Sequence, residues 1–290
     1  MELKARFDEE NNINWADKME KAGIHVIYGL TGLKTHCKVC LVVRREDDAI
    51  RRYMHLSTGN YNESTAKIYT DLALFTCRET FGQDSSLLFN VLTGYSKTTD
   101  WQKFYVAPTT LRTAITRLIE NERKNAAAGK PAQITARMNS LSDVELIQDL
   151  YRASQAGVKI RLLVRGICCL KPGIEGVSEN ISVSSIIDRY LEHSRVFIFE
   201  NGGHPRVFLS SADLMGRNLN RRVEVMFPIE DESLQNELIS IMELSLADNI
   251  KRREADPDGT YKKPARRGAR AVHSQLEHHR RVVEKFKSKE

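Results

Sequence analysis

The sequence predicts an α/β fold that contains a duplicated unit. Segments with helical periodicity alternate with β-rich segments along the chain of 290 residues. The composition, 41% hydrophobic and 28% charged residues, is typical of globular chains that bury an apolar core, which excludes a disordered or collagen-like chain. A strand, a turn and a return strand occur twice, beginning at THCKVC and at EHSRVF.

The first half, residues 1–103, is predicted to contain two helices and several strands. An amphipathic helix lies within ELKARFDEENNINWADKMEKAG and ends at Gly23. The β-rich runs are IHVIYG, HCKVCLVVR, IRRYMHLSTG and YTDLALFT. A second helix is predicted over DSSLLFNVLTGY. The polar stretch SKTTDWQK then predicts a domain boundary near residue 103.

The second half, residues 104–290, repeats the alternation of strands and helices. Strand FYVA is followed by a helix from Pro108, a residue suited to the first helical position, and by strand QITARMN. Ser142 and Glu145 have the spacing of a capping box at the start of the next helix. After the apolar strand VKIRLLVRG come RVFIFEN, RVFLSSA and RRVEVMFP, a long helix from Asp231, and a basic tail with a charged helix.

Composition also limits the class of protein. No apolar run reaches the ~20 residues that cross a bilayer, and MELKARFDEENN lacks the apolar part of a secretory signal, so we expect a cytoplasmic protein. The five cysteines are odd in number and lack framework spacing, which favours reduced thiols. Cys37 and Cys40 have zinc-like spacing, but residues three apart on a strand face opposite sides, so we expect no metal there.

The duplicated unit places a histidine beside a cation twice. His36 precedes Lys38 by two residues and His193 precedes Arg195 by two, so each pair projects from one face of its strand. A neutral imidazole can attack phosphorus or carry a proton, while the cations neutralise phosphoryl oxygens. A single strand histidine is usually structural, but two matched pairs favour a phosphate-transfer site formed by both halves.

The motifs GLKTHCKV, STGNYNESTAKIYTDL, LLVRG and RYLEHSRVFIFENGG with LSSADLMGRN closely resemble those of the polyphosphate kinase family, and the resemblance covers essentially the whole chain. It implies two tandem phospholipase D-like domains, each a mixed β-sheet flanked by helices. They would divide at residues 1–103, truncated at the N-terminus, and 104–290, ending in the basic helix. Val43 and Glu200 stand where the broader phospholipase D pattern has aspartates, so the similarity is to the kinase branch.

The same resemblance implies an activity and a set of site residues. The reaction would be reversible transfer of the ATP γ-phosphate to inorganic polyphosphate through a phosphohistidine intermediate. His36 would be phosphorylated by ATP, and His193 would be the second catalytic histidine, as proton donor or phosphate ligand. Tyr69 would contact the nucleotide, Arg165 would contact phosphate, and Arg6 would belong to a phosphate and magnesium site.

Further expectations follow from this resemblance. Lys38 and Arg195 would hold phosphate oxygens, and Mg²⁺ would be the cofactor. The partners would be ATP, ADP and polyphosphate, with a homo-oligomer in the full-length form, no specific nucleic acid, and a location at most peripheral to the inner membrane. Because the family's upstream domains complete the nucleotide pocket, activity of the isolated chain would depend on them.

Two other classes of function fit parts of the sequence. A phospholipase D-like phosphodiesterase or nuclease would form the same phosphohistidine from a diester, although the replaced aspartates count against it. A non-catalytic polyanion-binding module would use the tail, because residues 251–290 hold 13 Lys and Arg against 6 Asp and Glu. The same tail also fits a solvated segment that keeps the chain soluble.

Overall fold

The computed structural model describes residues 1, 9–47, 49–97, 100–265 and 268–287. Helices flank a mixed β-sheet, which confirms the predicted α/β class. The helices are α1 (Glu9–Lys21), α2 (Glu63–Ala66), α3 (Glu79–Leu92), α4 (Leu111–Ala127), α5 (Val144–Gln155), α6 (Gly216–Arg221), α7 (Glu232–Ala247) and α8 (Ser274–Lys287), with a 3-10 turn at Asn201–Gly203. The strands are β1 (Lys34–Thr35), β2 (Lys38–Arg45), β3 (Ile50–Ser57), β4 (Tyr69–Thr70), β5 (Ala73–Thr76), β6 (Tyr105–Ala107), β7 (Gln133–Met138), β8 (Lys159–Val164), β9 (Ile181–Ile186), β10 (Leu191–Glu192), β11 (Arg195–Phe199), β12 (Arg206–Ser210), β13 (Arg222–Ile229), β14 (Arg252–Ala255) and β15 (Tyr261–Lys262).

The first half of the chain builds a three-stranded antiparallel sheet in the order β2, β3, β5. Strands β2 and β3 form a hairpin in which Lys38 pairs with Ser57. Leu56 is fully buried and packs in one core with Phe81 and Leu88 of α3. The hairpin register therefore places Lys38 directly opposite the last residue of β3.

The second half builds the large sheet, in the order β13, β12, β11, β7, β8, β9, β14, β15, with β6 also paired to β13. Strands β7, β8 and β9 are parallel to one another, while β11, β12 and β13 form antiparallel pairs. Leu162 and Leu163 of β8 are both buried and belong to different apolar cores. Because alternate residues of a strand face opposite sides, both faces of this sheet are covered.

Two short parallel ladders join the halves. Strand β1 of the first half pairs with β13 of the second, with Thr35 opposite Val223. Strand β10 of the second half pairs with β4 of the first, with Glu192 opposite Thr70. Each histidine of the duplicated unit follows one of these ladders directly, so residues of the opposite half lie beside it.

Several strand and helix predictions differ from the structure in detail, and helix α3 begins at Glu79, before the predicted run DSSLLFNVLTGY. The run IHVIYG (24–29) forms no strand. The run YTDLALFT forms two strands, β4 and β5, because the chain turns at Asp71 and Leu72 between them. Helix α4 begins after Thr110 and not at Pro108, because β6 stays in the sheet through Ala107 and a turn follows, in which the amides of residues 109 and 110 donate to Val106 O.

Helix caps show where the capping-box prediction fails. Ser142 does not cap α5; Asp143 does, accepting a hydrogen bond from Leu146 N. The Ser142 amide instead donates to Leu214 O, which holds that residue outside the helix. At α7 the predicted start is correct, because the Asp231 side chain accepts from Leu234 N.

The basic C-terminal segment is part of the fold. Strands β14 and β15 extend the edge of the large sheet beyond β9, and α8 packs against α7. Arg281 of α8 donates to Ser240 of α7 over 3.1 Å. Among the described residues, no helix is long and apolar enough to cross a membrane. The division of the chain at residue 103 stays a prediction.

Candidate active site

His36 lies between β1 and β2 and is held by the second half of the chain. Its amide donates to Val223 O over 2.9 Å, continuing the ladder between β1 and β13. The ring Nδ1 lies 2.9 Å from Glu224 Oε2, and the Glu224 side chain is fully buried. Ser211 Oγ donates to the same carboxylate oxygen over 2.5 Å. The register of β1 on β13 thus determines that the His36 imidazole contacts Glu224.

His193 lies between β10 and β11 and is held in the corresponding way by the first half. Its amide donates to Thr70 O over 3.1 Å. The ring Nδ1 lies 2.9 Å from Asp71 Oδ1, and Thr58 Oγ1 donates to that oxygen over 2.7 Å. Each half therefore carries one of the two histidines. It also provides the acid, with a hydroxyl donor, that contacts the histidine of the other half.

Sequence reasoning did not identify Asp71 and Glu224 as site residues. Asp71 lies 35 residues after His36, in the turn before β5, and Glu224 lies 31 residues after His193, within β13; this similar spacing does not indicate that each acid contacts the histidine of the other half. The small hydroxyl residues that end each return strand are explained by the same contacts, because they orient these acids.

The two cations differ in how they are neutralised. Lys38 Nζ donates to His36 O, and among the described residues it forms no ion pair with a carboxylate. Burial lowers the pKa of Lys38 to about 8, although Glu224 opposes this. Arg195 Nη2 is instead ion-paired with Asp213 Oδ2 at 3.2 Å. Lys38 is therefore the cation more available to an added anion.

The two imidazoles also differ at Nε2. Arg195 Nη1 lies 3.0 Å from Nε2 and 3.3 Å from Nδ1 of His193 and donates to His193 O over 2.8 Å, so a guanidinium lies against that ring. No hydrogen bond to Nε2 of His36 occurs within the described part of the chain. Burial lowers the pKa of both rings below the usual value, which favours neutral imidazole near pH 7.

Tyr69 and Arg165 lie beside His193. The ring centroids of Tyr69 and His193 are 4.8 Å apart. Arg165 follows β8 and donates from Nε to Glu192 O over 2.7 Å, and burial together with nearby Arg195 lowers the pKa of its guanidinium. The predicted site residue Arg6 lies outside the described residues.

The carboxylates and the thiol near the histidines are engaged or buried. Within the residues that the structure describes, no group of three or more His, Cys, Asp or Glu side chains could hold a metal ion. The carboxylates nearest the histidines, those of Asp71, Glu224 and Asp213, are each engaged by a histidine or an arginine. Cys37 is a free thiol, and burial raises its pKa to about 12, which makes it unreactive.

Comparison with known proteins gives the class and then the family. The fold and the two acid-held histidines define an α/β protein of two repeated units, each of which provides the acid that contacts the histidine of the other. The sequence profile of polyphosphate kinase C-terminal domain 1 matches residues 1–98, and that of C-terminal domain 2 matches residues 104–275. The chain belongs to the polyphosphate kinase family.

Individual relatives agree with this assignment. The chain is 58% identical over 261 residues to the polyphosphate kinase of Synechocystis sp., covering 90% of this chain and 36% of that protein. It is 51% identical over 288 residues to that of Lactiplantibacillus plantarum, covering 99% of this chain and 40% of the relative. The crystal structure of polyphosphate kinase from Porphyromonas gingivalis superposes with a TM-score of 0.91 at 40% identity, covering 99% of this chain and 44% of that chain. The chain thus spans about two fifths of the length of these relatives.

Proposed function

We propose that this chain forms the phosphotransfer centre of a polyphosphate kinase, which moves the γ-phosphate of ATP to polyphosphate through a phosphohistidine at His36. The observation that supports this most directly is the state of the His36 ring. Its Nδ1 is bonded to the buried carboxylate of Glu224, while Nε2 has no partner among the described residues. A ring held in this way carries its proton on Nδ1 and its lone pair on Nε2.

In the first half-reaction, Nε2 of His36 attacks the γ-phosphorus of ATP. The new P–N bond forms as the bond to the β,γ-bridging oxygen breaks, and ADP leaves with that electron pair. The imidazole becomes positively charged, and the carboxylate of Glu224 stabilises this charge at 2.9 Å. Lys38, which lacks a carboxylate partner in the described chain, is suited to neutralise the phosphoryl oxygens.

In the second half-reaction, a terminal oxygen of polyphosphate attacks the phosphorus of phosphohistidine. The P–N bond breaks, its electron pair returns to Nε2, and His36 is neutral again. His193, with Arg195 beside its Nε2, is better suited to contact phosphate or deliver a proton than to act as a second nucleophile. Arg165 and Tyr69, next to His193, would contact phosphate and nucleotide.

Several partners of the reaction stay predictions. The described residues do not provide a ligand set for Mg²⁺, and Arg6, the residue predicted near it, lies outside them. No step above depends on a protein-bound metal. A homo-oligomer and a peripheral membrane location likewise stay expectations from the family.

The test is incorporation of acid-labile, base-stable label from γ-labelled ATP. We expect label on the parent, loss of label in His36→Ala, and retention in His55→Ala, a histidine on the outer face of the three-stranded sheet that pairs with Phe75. The same three proteins are also made as chimaeras in which this chain replaces the matching part of the full-length Synechocystis relative. Label that persists there in the His36 variant would contradict the proposal. Turnover of a phosphodiester without nucleotide would favour the hydrolase class, and polyanion binding without label would favour the binding module.

A further inference from the structure

The start of helix α8 is fixed next to the strand that carries His193. The amide and the hydroxyl of Ser274 each donate to Asp248 Oδ2 over 2.7 Å, and Asp248 is fully buried. On the other side, His273 Nε2 is paired with Asp188, which lies in the segment between β9 and β10. These two contacts fix the position of the next residue of α8, Gln275, beside the segment that leads into β10.

That next residue, Gln275, binds the outer edge of β10. Its Oε1 accepts from Tyr190 N over 3.0 Å, and its Nε2 donates to Tyr190 O over 2.9 Å. The inner edge of the same segment pairs with β4, where the Leu191 amide donates to Ile68 O over 2.9 Å. Because peptide groups alternate between the two edges of a strand, the amide of Gln275 replaces the neighbouring strand that β10 lacks on this side.

Gln275 also reaches the residue directly before His193. Its Nε2 donates to Glu192 Oε1 over 2.9 Å. The other carboxylate oxygen of Glu192 is paired with Arg137 at 3.2 Å and accepts from Thr70 at 3.2 Å. The Glu192 side chain is one tenth exposed, so these contacts lie in a largely dry region where unmade hydrogen bonds are costly.

We propose that Gln275 is a positioning residue for His193, which keeps β10 aligned on β4 and so keeps the imidazole on Asp71. The contacts of Gln275 fix Tyr190, directly before β10, and the side chain of Glu192, the last residue of β10. Loss of the Gln275 amide would release one edge of a ladder that is only two residues long. The structural part of this proposal stands without the proposed function, and only its kinetic readout depends on it.

The structural test is amide hydrogen exchange of residues 190–194 in Gln275→Ala. Arg281→Ala is the matched control, because it removes a contact between α8 and α7 without reaching β10. We expect exchange in this segment to rise by about tenfold in the Gln275 variant, which corresponds to the loss of one to two hydrogen bonds. Exchange of α8 itself should stay unchanged, and Arg281→Ala should leave residues 190–194 protected. Equal exchange in parent and Gln275→Ala, or equal acceleration in both variants, would overturn the proposal.

A second variant and a kinetic readout separate positioning from simple undocking of the helix. Gln275→Glu keeps one acceptor, loses both donors and places a carboxylate beside Glu192, so it should accelerate exchange at least as much as Gln275→Ala. In a chimaera in which this chain replaces the matching part of the full-length Synechocystis relative, Gln275→Ala should lower kcat and leave KM for ATP unchanged. A change in KM for ATP with kcat preserved would contradict the link between Gln275 and His193. If the parent itself transfers no phosphate, the proposed function fails, while the exchange result still decides the role of Gln275.

Discussion

Replacement of Glu224 by Gln isolates the contribution of the acid that holds the proposed nucleophile. The substitution keeps the size of the side chain and removes the charge that faces Nδ1 of His36 at 2.9 Å. The Gln amide can present its NH₂ group to Nδ1, which would move the imidazole proton to Nε2 and block the attacking lone pair. Burial of the site leaves little water to compensate for the missing carboxylate.

The size of the effect follows from the kind of hydrogen bond that is lost. A hydrogen bond to a charged group contributes about 1.5–3 kcal/mol, and about 1.4 kcal/mol changes a rate tenfold. We therefore expect phosphorylation of His36 to slow by about 10- to 150-fold. Burial lowers the pKa of His36 and Glu224 raises it, so removal of the carboxylate lowers this pKa further. The acid limb of the pH-rate profile, where imidazolium replaces the nucleophile, should then move to lower pH.

The assay is the rate of single-turnover labelling from γ-labelled ATP as a function of pH, in a chimaera in which this chain replaces the matching part of the full-length Synechocystis relative. Glu230→Gln is the control, because Glu230 follows the same strand at its other end and pairs with Arg78 and Lys103. Thermal unfolding should show that both variants are folded. An unchanged labelling rate in Glu224→Gln, or an acid limb that moves to higher pH, would refute the role given to Glu224.

Three further predictions test other parts of the account. Burial lowers the pKa of Lys38 to about 8, so the lysine loses its charge above that pH. KM for ATP should therefore rise above pH 8, and Lys38→Arg should move this rise to higher pH. The same pH profile in both proteins would exclude Lys38 as the phosphate contact. Asp71 raises the pKa of His193, against the effect of burial. Asp71→Asn should therefore lower the His193 pKa measured by NMR, while phosphate label on His36 persists. A higher His193 pKa in this variant would be inconsistent with the hydrogen bond. Phe208 is fully buried in the core of the large sheet. Phe208→Ala should therefore lower the free energy of unfolding, measured by chemical denaturation, by about 3–5 kcal/mol. A loss below about 1 kcal/mol would contradict this packing.

Local features of the fold were predictable because their causes lie within a few residues. The apolar residues 162–164 of β8 are buried on both faces of the sheet, as the composition of the strand indicates. The hairpin β11 to β12 and the helix after Asp231 also occur where the sequence predicts them. Each of these depends on periodicity or on a short-range hydrogen bond, which a single sequence displays directly.

The site depends on long-range register and was predictable only in part. The two histidines and their neighbouring cations could be identified from the duplicated spacing. Their acids could not, because Glu224 meets His36 across 188 residues and Asp71 meets His193 across 122. The division of YTDLALFT has the same origin, since the chain leaves the strand at Asp71 to present its carboxylate to the other half. Contacts fixed by a two-residue ladder between distant segments leave no periodic trace in the sequence.

The most direct test of the account is the position of phosphate on the phosphorylated histidine. Alkaline hydrolysis of the labelled protein, followed by chromatography against both phosphohistidine isomers and by peptide mapping, gives the residue and the ring nitrogen together. Since Nδ1 of His36 is bonded to Glu224, the account predicts phosphate on Nε2 of His36. Phosphate on Nδ1, or a labelled peptide that contains His193 in place of His36, would contradict it.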